Sequence, residues 1–212
     1  MKNEEAVFDT HADRYEAWFE RHRAAYVAEL LAVRALVPYR GEGLEIGVGS
    51  GRFAGPLGVS VGVDPSPAML RLAAARGISV VQGVAEHLPF TDAQFDYALV
   101  VTTLCFVESP RRMLREAHRV LKPGGRIIVG FIDRDSPLGQ EYLAHQAQSV
   151  FYREATFYST QEVEHLLVGA GFTIVEWVQT LALPLSETHE IEPLRPGHGE
   201  GAFVVVAAER GG

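Results

Sequence analysis

The residues best placed to do chemistry are Leu44-Glu45-Ile46-Gly47-Val48-Gly49-Ser50-Gly51, a carboxylate followed by glycine at every second position. Glycines let the backbone turn sharply and approach a ligand closely. In an open parallel sheet, ligands bind at the carboxyl ends of the strands. A dinucleotide fingerprint reads G-x-G-x-x-G, or ends in alanine. Counted from Gly47 the sixth residue is Arg52, and from Gly49 it is Ala54, so spacing alone leaves a dinucleotide open. Glu45 argues the other way, because a carboxylate repels a pyrophosphate and attracts an ammonium or a sulfonium. Taken alone, the glycines are equally compatible with a purely structural turn.

The second signal is Asp64, which ends the next apolar run. A carboxylate there can accept hydrogen bonds from both hydroxyls of a ribose. Asp64-Pro65-Ser66-Pro67 also reads as the turn that starts a helix. Two further candidates lie on the N-terminal segment. Tyr15 could offer an aromatic face to a cation or be a core residue. His11 is the histidine expected nearest the site and could act as a general base. His118 and His165 fall inside predicted helices and read as surface or packing residues. Cys105 is the single cysteine. It cannot form an internal disulfide and reads as a small buried hydrophobe. No group of His, Cys and carboxylates has metal-ligand spacing.

The elements that must position these residues follow from hydrophobic period. Residues 1–37 read as helical, with Tyr15, Trp18, Phe19, Tyr26, Leu30 and Leu31 recurring near helical spacing. Leu44–Val48, Ser60–Val63, Ile78–Gln82, Phe95–Thr102 and Arg126–Ile132 read as strands, with helices at Met69–Ala75 and after Ser109-Pro110. Lys122-Pro123-Gly124-Gly125 is expected to be a turn. Strands alternating with helices imply a parallel sheet covered on both faces. Ser159 and Glu162 form a capping-box pattern, predicting a helix to about Gly169. Two strands, Phe172–Val178 and Ala202–Ala208, are then joined by a long loop over 182–201. The aromatics Tyr142, Phe151, Tyr152, Phe157 and Tyr158 suit an apolar pocket or the core equally well.

The chain has 212 residues, a net charge of −8 and 47% hydrophobic residues, which suits one domain with its own core. Its arginines, such as Arg111, Arg112, Arg115 and Arg119, are interspersed with acidic residues. No basic stripe marks a nucleic-acid binder. No apolar run approaches the roughly 20 residues needed to cross a bilayer. Acidic side chains outnumber the one lysine in the first ten residues, the wrong composition for a targeting peptide. A cytoplasmic protein is expected.

Five stretches, in order, resemble the class I S-adenosylmethionine-dependent methyltransferases, in particular the small-molecule, type 11-like branch. They are Phe8–Phe19, Leu44–Gly51, Gly62–Leu70, Gln82–Phe90 with Phe95-Asp96, and Leu121–Gly125. The resemblance implies a Rossmann-like, doubly wound α/β fold. Its sheet would have seven strands, mostly parallel, with the last antiparallel. It also implies one methyltransferase domain over 1–212: an N-terminal helical lid (1–40), a cofactor-binding core (41–132), and substrate-side helices with the final strands (133–212). The implied cofactor is S-adenosyl-L-methionine and the implied activity is methyl transfer to a small-molecule acceptor by in-line displacement.

By the same resemblance Glu45, Gly47, Gly49 and Gly51 would lie along the methionine portion, Asp64 would hold the ribose and Met69 would pack near the adenosine. Ala85 and Glu86 would flank the adenine, Thr102 would face the reacting methyl, and Tyr15 would close over the cofactor. Tyr15, His11 and Thr102 are the catalytic candidates. The family usually carries Gly-Asp-Ala-Glu in its adenine motif, where this chain has Gly83-Val84-Ala85-Glu86. Valine cannot accept a hydrogen bond from the adenine amino group. The Asn/Asp-Pro-Pro-Tyr motif of base and glutamine methylation is replaced here by Thr102-Thr103-Leu104-Cys105, and one cysteine is too few for arsenic methylation. The rival readings are a non-catalytic module that binds the same cofactor, and an NAD-dependent oxidoreductase.

Overall fold

Apolar residues alternate along the central strands, and the two alternate sets feed two separate cores. On β4 (Phe95–Val101), Tyr97, Leu99 and Val101 face one core, while Ala98 and Val100 face the other. On β8 (Phe203–Arg210), Phe203, Val205 and Ala207 oppose Val204, Val206 and Ala208 in the same way. A sheet apolar on both faces must be covered on both. The structure, a computed structural model, describes residues 4–211. Residues 1–3 of the expected N-terminal helical stretch lie outside them.

The first face is covered by α2 (Ala12–Arg21), α3 (Arg23–Leu36), the short α4 (Ala54–Leu57) and α5 (Pro67–Ala75). The second face is covered by α6 (Pro110–Val120) and α8 (Thr160–Gly169). The sheet also contains β1 (Gly43–Ile46), β2 (Val61–Asp64), β3 (Ser79–Gln82), β5 (Leu121–Ile132), β6 (Phe172–Thr180) and β7 (Arg195–Pro196). The strand order is β3-β2-β1-β4-β5-β8-β6-β7. Strands β1 to β5 pair in parallel, and β8 pairs antiparallel with both β5 and β6. The order reverses at β1, so the crevice beyond the ends of β1 and β4 is the topological switch point.

The sheet has eight strands where seven were expected. The extra one, β7, is two residues inside the expected 182–201 loop and pairs only at the outer edge of β6. Its Arg195-Pro196 sequence carries no strand pattern, and proline is tolerated at such an edge. The expected turn at 122–125 is a bulge within β5: the register steps from Phe95 opposite Leu121 to Tyr97 opposite Arg126. Lys122 reaches back to Asp96 at 2.9 Å across that bulge. The N-terminal stretch is three helices rather than one, α1 (Glu4–Thr10), α2 and α3, broken at His11 and His22. Helix α7 (Pro137–Ala144) and a 3₁₀ turn at Gln146–Gln148 lie between β5 and α8. The capping box of α8 forms as its sequence predicts, Ser159 accepting from the Glu162 amide and Glu162 accepting from the Ser159 amide.

Candidate active site

A cavity of about 800 Å³ opens at the switch point. Of the residues singled out from the sequence, Tyr15, Gly47, Gly49, Asp64, Met69, Ala85, Glu86 and Thr102 line it. Glu45, Gly51 and His11 are not on its wall. Glu45 is buried behind the glycine turn, facing the Ala54 amide at the start of α4. Gly51 sits against Ile78 and Ala73. His11 ends α1, edge-on to the Phe151 ring.

The turn after β1 needs glycine for reasons the geometry shows. Gly47 has φ +73°, and a Cβ there would collide with the Thr103 side chain. Gly49 has φ +50°, and a Cβ would lie 3.3 Å from the Tyr15 hydroxyl. Asp64 at the end of β2 fixes the same turn, accepting the Gly49 amide and the Ser66 amide, both at 2.9 Å. At the end of β4, Thr102 holds φ +50°, a costly conformation for a β-branched residue. Its amide donates to Gly130 at 2.8 Å. Strain of this kind persists where surrounding structure imposes it, often at functional sites.

Helices α1 and α2 are pinned by polar contacts. Asp9 of α1 accepts from the Ser66 hydroxyl (2.6 Å) and the Ala68 amide (2.9 Å) at the start of α5. These bonds hold the Asp9 carboxyl below its usual range. Glu16 of α2 pairs with Arg52 (2.7 Å) and Arg76 (2.6 Å), and Glu20 adds a contact to Arg52. Tyr26 donates to the Arg52 carbonyl at 2.6 Å. The glycine turn and α5 are thereby tied to α1, α2 and α3.

The cavity has two differently equipped sides. Asp64, Pro65, Met69 and Gly83 to Glu86 follow β2 and β3. Val84 is half-exposed there, and Glu86 accepts from the Ser109 amide at 3.1 Å, joining the β3 loop to the cap of α6. The other side carries Phe8, Phe106, Tyr142, Phe151, Tyr152, Ile132 and Leu185. Phe106 and Tyr142 both stack on Tyr152, at 5.6 and 5.2 Å, and Phe8 stacks on Phe151 at 5.3 Å. Of the aromatics left open from the sequence, Phe157 is buried core and Tyr158 packs against the second core.

The electrostatics favour a cation. Burial pushes the Glu45 carboxyl up to about 8, with Asp64 adding to the effect, and Glu45 Oε2 is buried without a hydrogen-bond partner among the described residues. Burial raises the Tyr15 hydroxyl, and the carboxylates Glu45, Asp64, Glu16 and Glu29 raise it further. Glu29 of α3 also lines the cavity, and burial pushes it to about 8. Sequence reading missed Glu29. The available signal was a carboxylate on the apolar stripe of α3, among Ala25, Ala28, Ala32 and Val33. Among the described residues no group of three or more His, Cys, Asp or Glu could hold a metal, and no helix is long and apolar enough to cross a membrane.

Residues 44–129 match a family profile described as "Methyltransferase domain". An uncharacterised protein of Methanocaldococcus jannaschii is 44% identical over 204 residues, covering 96% of this chain and 98% of that one. A crystal structure from Thermotoga maritima superposes with a TM-score of 0.95 at 51% identity, covering 97% of this chain and 99% of that one. That protein is described as a "SAM-dependent methyltransferase, possible histamine N-methyltransferase". The chain belongs to the class I S-adenosylmethionine-dependent methyltransferases. A malonyl-[acyl-carrier protein] O-methyltransferase of Herminiimonas arsenicoxydans is 31% identical over 181 residues, covering 80% of this methyltransferase and 66% of that one.

S-adenosylmethionine is the cofactor of this family, and the cavity suits it. The glycine turn admits close backbone approach. The buried Glu45 carboxyl, whose charged form a nearby cation favours, suits a ligand carrying a sulfonium and an ammonium. Asp64 presents a carboxylate at the end of β2, where a ribose is held in folds of this topology.

Proposed function

We propose that this methyltransferase transfers a methyl group from S-adenosylmethionine to a small-molecule acceptor. The observation that carries the reading is the single cavity wall that joins the Gly47–Gly49 turn and Asp64 to the aromatic chamber of Phe106, Phe151 and Tyr152. Its volume, about 800 Å³, lies within the range of small-molecule sites. The helices α1 and α2 serve as the lid of a single domain.

When bound, the cofactor supplies a methyl group already activated by its sulfonium. The protein's task is to bind, align and exclude water, which can lower a barrier by several kcal/mol. We assign Gly47 and Gly49 to the methionine portion, Asp64 to the ribose, and Met69, Ala85 and Glu86 to the adenosine. Gly51 supports the turn by packing on Ile78 and Ala73, and Glu45 backs it with a buried carboxyl whose charged form a nearby cation favours. Val84 gives the adenine an apolar contact only, so the polar grip on the base falls to backbone atoms. Tyr15, within reach of the Gly49 position, screens the reacting centre from water. Thr102, locked at positive φ, borders the place where acceptor and methyl meet. His11 lies off the cavity wall, edge-on to Phe151.

Calorimetric titration tests this reading. S-adenosylmethionine and S-adenosylhomocysteine are expected to bind at micromolar concentration, and NAD is not. A protein that binds the cofactor but transfers its methyl to no acceptor in a broad screen would be a non-catalytic binding module instead. Failure to bind the cofactor would overturn the site assignment.

A further inference from the structure

We infer that Glu29 is the anchor for a cationic nitrogen on the methyl acceptor, so that the acceptors are amines with an apolar or aromatic body. The inference rests on the methyltransferase reading of the cavity. Glu29 is 5% exposed and lines the cavity, yet no hydrogen bond or ion pair to a described residue engages it. A carboxyl held in such a place without a partner keeps its proton near neutral pH until a cation meets it. A protein keeps such a group where a ligand completes it.

Its place in the fold puts it on the acceptor side. Helix α3 packs against β5, β6 and β8, the half of the sheet away from the β1–β2–β3 loops assigned to the cofactor. The groups that feel its charge include Tyr142 and Tyr152, and also Tyr15 and Tyr26. A carboxylate beside stacked aromatic faces is the pairing that recognises ammonium groups, through ion pairing and cation–π attraction together. Of the charged residues lining the cavity, Glu29 is the buried one, while Arg14, Arg21, Arg112 and Glu141 are exposed. An anionic acceptor would leave that carboxyl protonated and gain no ion pair from it, whereas a cation draws out its charged form. The raised Glu29 carboxyl adds a signature: a bound ammonium favours the carboxylate, so binding near neutral pH must release a proton.

The test uses the full chain loaded with S-adenosylhomocysteine, titrated by calorimetry with 2-phenylethylamine and 4-phenylbutylamine, and with 2-phenylethanol and 4-phenylbutanol as neutral counterparts. At least one amine is expected to bind tenfold or more tighter than its alcohol. Its binding enthalpy is expected to vary with buffer ionisation as proton release requires. Glu29→Gln is expected to abolish both effects while leaving the affinity for S-adenosylhomocysteine within twofold. Equal binding of amine and alcohol, or an amine preference that survives Glu29→Gln, would overturn the inference and leave the methyltransferase reading intact. A tenfold loss of S-adenosylhomocysteine affinity in Glu29→Gln would place Glu29 with the cofactor instead. If the unaltered chain does not bind S-adenosylhomocysteine, the methyltransferase reading itself fails.

Discussion

The Asp64 carboxylate accepts two backbone amides, from Gly49 and Ser66, and the same group faces the cavity. It therefore shapes the glycine turn and, in the proposed site, also offers an acceptor to a ribose. Asp64→Ala removes both contributions. The charge-assisted hydrogen bonds involved are each worth about 1.5–3 kcal/mol, so affinity for S-adenosylmethionine should fall by at least ~1 kcal/mol, roughly fivefold or more. Calorimetry on the variant gives the number, and unchanged affinity would remove Asp64 from the site. Glu29 and Glu45 lead to a prediction of a different kind. Both carboxyls are raised from 4.5 to about 8 by burial. The native protein thus keeps protons that the unfolded chain has released. Stability from these groups is present in full below pH 4.5 and is lost as pH rises through about 8. The histidines His22 and His118, whose pKa is lowered, act in the opposite sense, but only below about pH 6.5, where the unfolded chain takes up their protons. Between pH 6.5 and 8.5 the urea midpoint of the ligand-free protein should therefore fall. Glu29→Gln should reduce that fall and raise stability at pH 8.5. A flat profile would mean that the two carboxyls titrate normally.

At the scale of elements, α1 is held by a few named bonds, while α2 adds its ion pairs to an apolar face of Tyr15, Trp18 and Phe19 packed on the first core. Helix α1 meets α5 through Asp9, and α2 meets the turn through Glu16. Asp9→Ala should leave the fold intact, because Asp9 is exposed and outside both cores. It should raise hydrogen exchange in residues 4–10 and speed release of S-adenosylhomocysteine. Exchange that stays unchanged would show that Phe8 stacking on Phe151 is enough to hold α1. The sequence made the strands legible because each central strand carries two apolar sets at period two. The caps at Ser109 and Ser159 were legible because serine at those positions satisfies orphan amides. The breaks at His11 and His22 were not legible: neither has a side-chain cap, and helical periodicity runs through both. Strand β7 was hidden because edge pairing of two residues leaves no pattern. In the site, the glycine turn and Asp64 were readable from residue type and spacing, and the Gly83–Glu86 loop only through the resemblance to the family. The placement of Glu45 behind the turn was not, since a carboxylate two residues before a glycine can face either side. Glu29 escaped because its meaning depends on which helix face meets the cavity.

For the molecule as a whole, the residues proposed to hold the cofactor come from parts of the chain that are far apart in sequence. Gly47 and Gly49 follow β1, Asp64 ends β2, Thr102 ends β4, and Tyr15 comes from α2. A ligand touching all of them closes the lid against the sheet and is bound only by the folded state. Such a ligand stabilises by about 2.7 kcal/mol at a free concentration 100 times its Kd. For a chain of this size, each kcal/mol shifts Tm by roughly 2–4 °C. S-adenosylhomocysteine at that concentration should therefore raise Tm by about 5–10 °C, and NAD at equal concentration should leave it unchanged. The rise should shrink in Asp64→Ala measured at the same ligand concentration, because the affinity is lower. It should persist in Asp9→Ala, whose change lies in lid kinetics. A rise with S-adenosylhomocysteine that Asp64→Ala leaves untouched would place the ligand elsewhere on the surface, away from the switch point where β1 and β4 end.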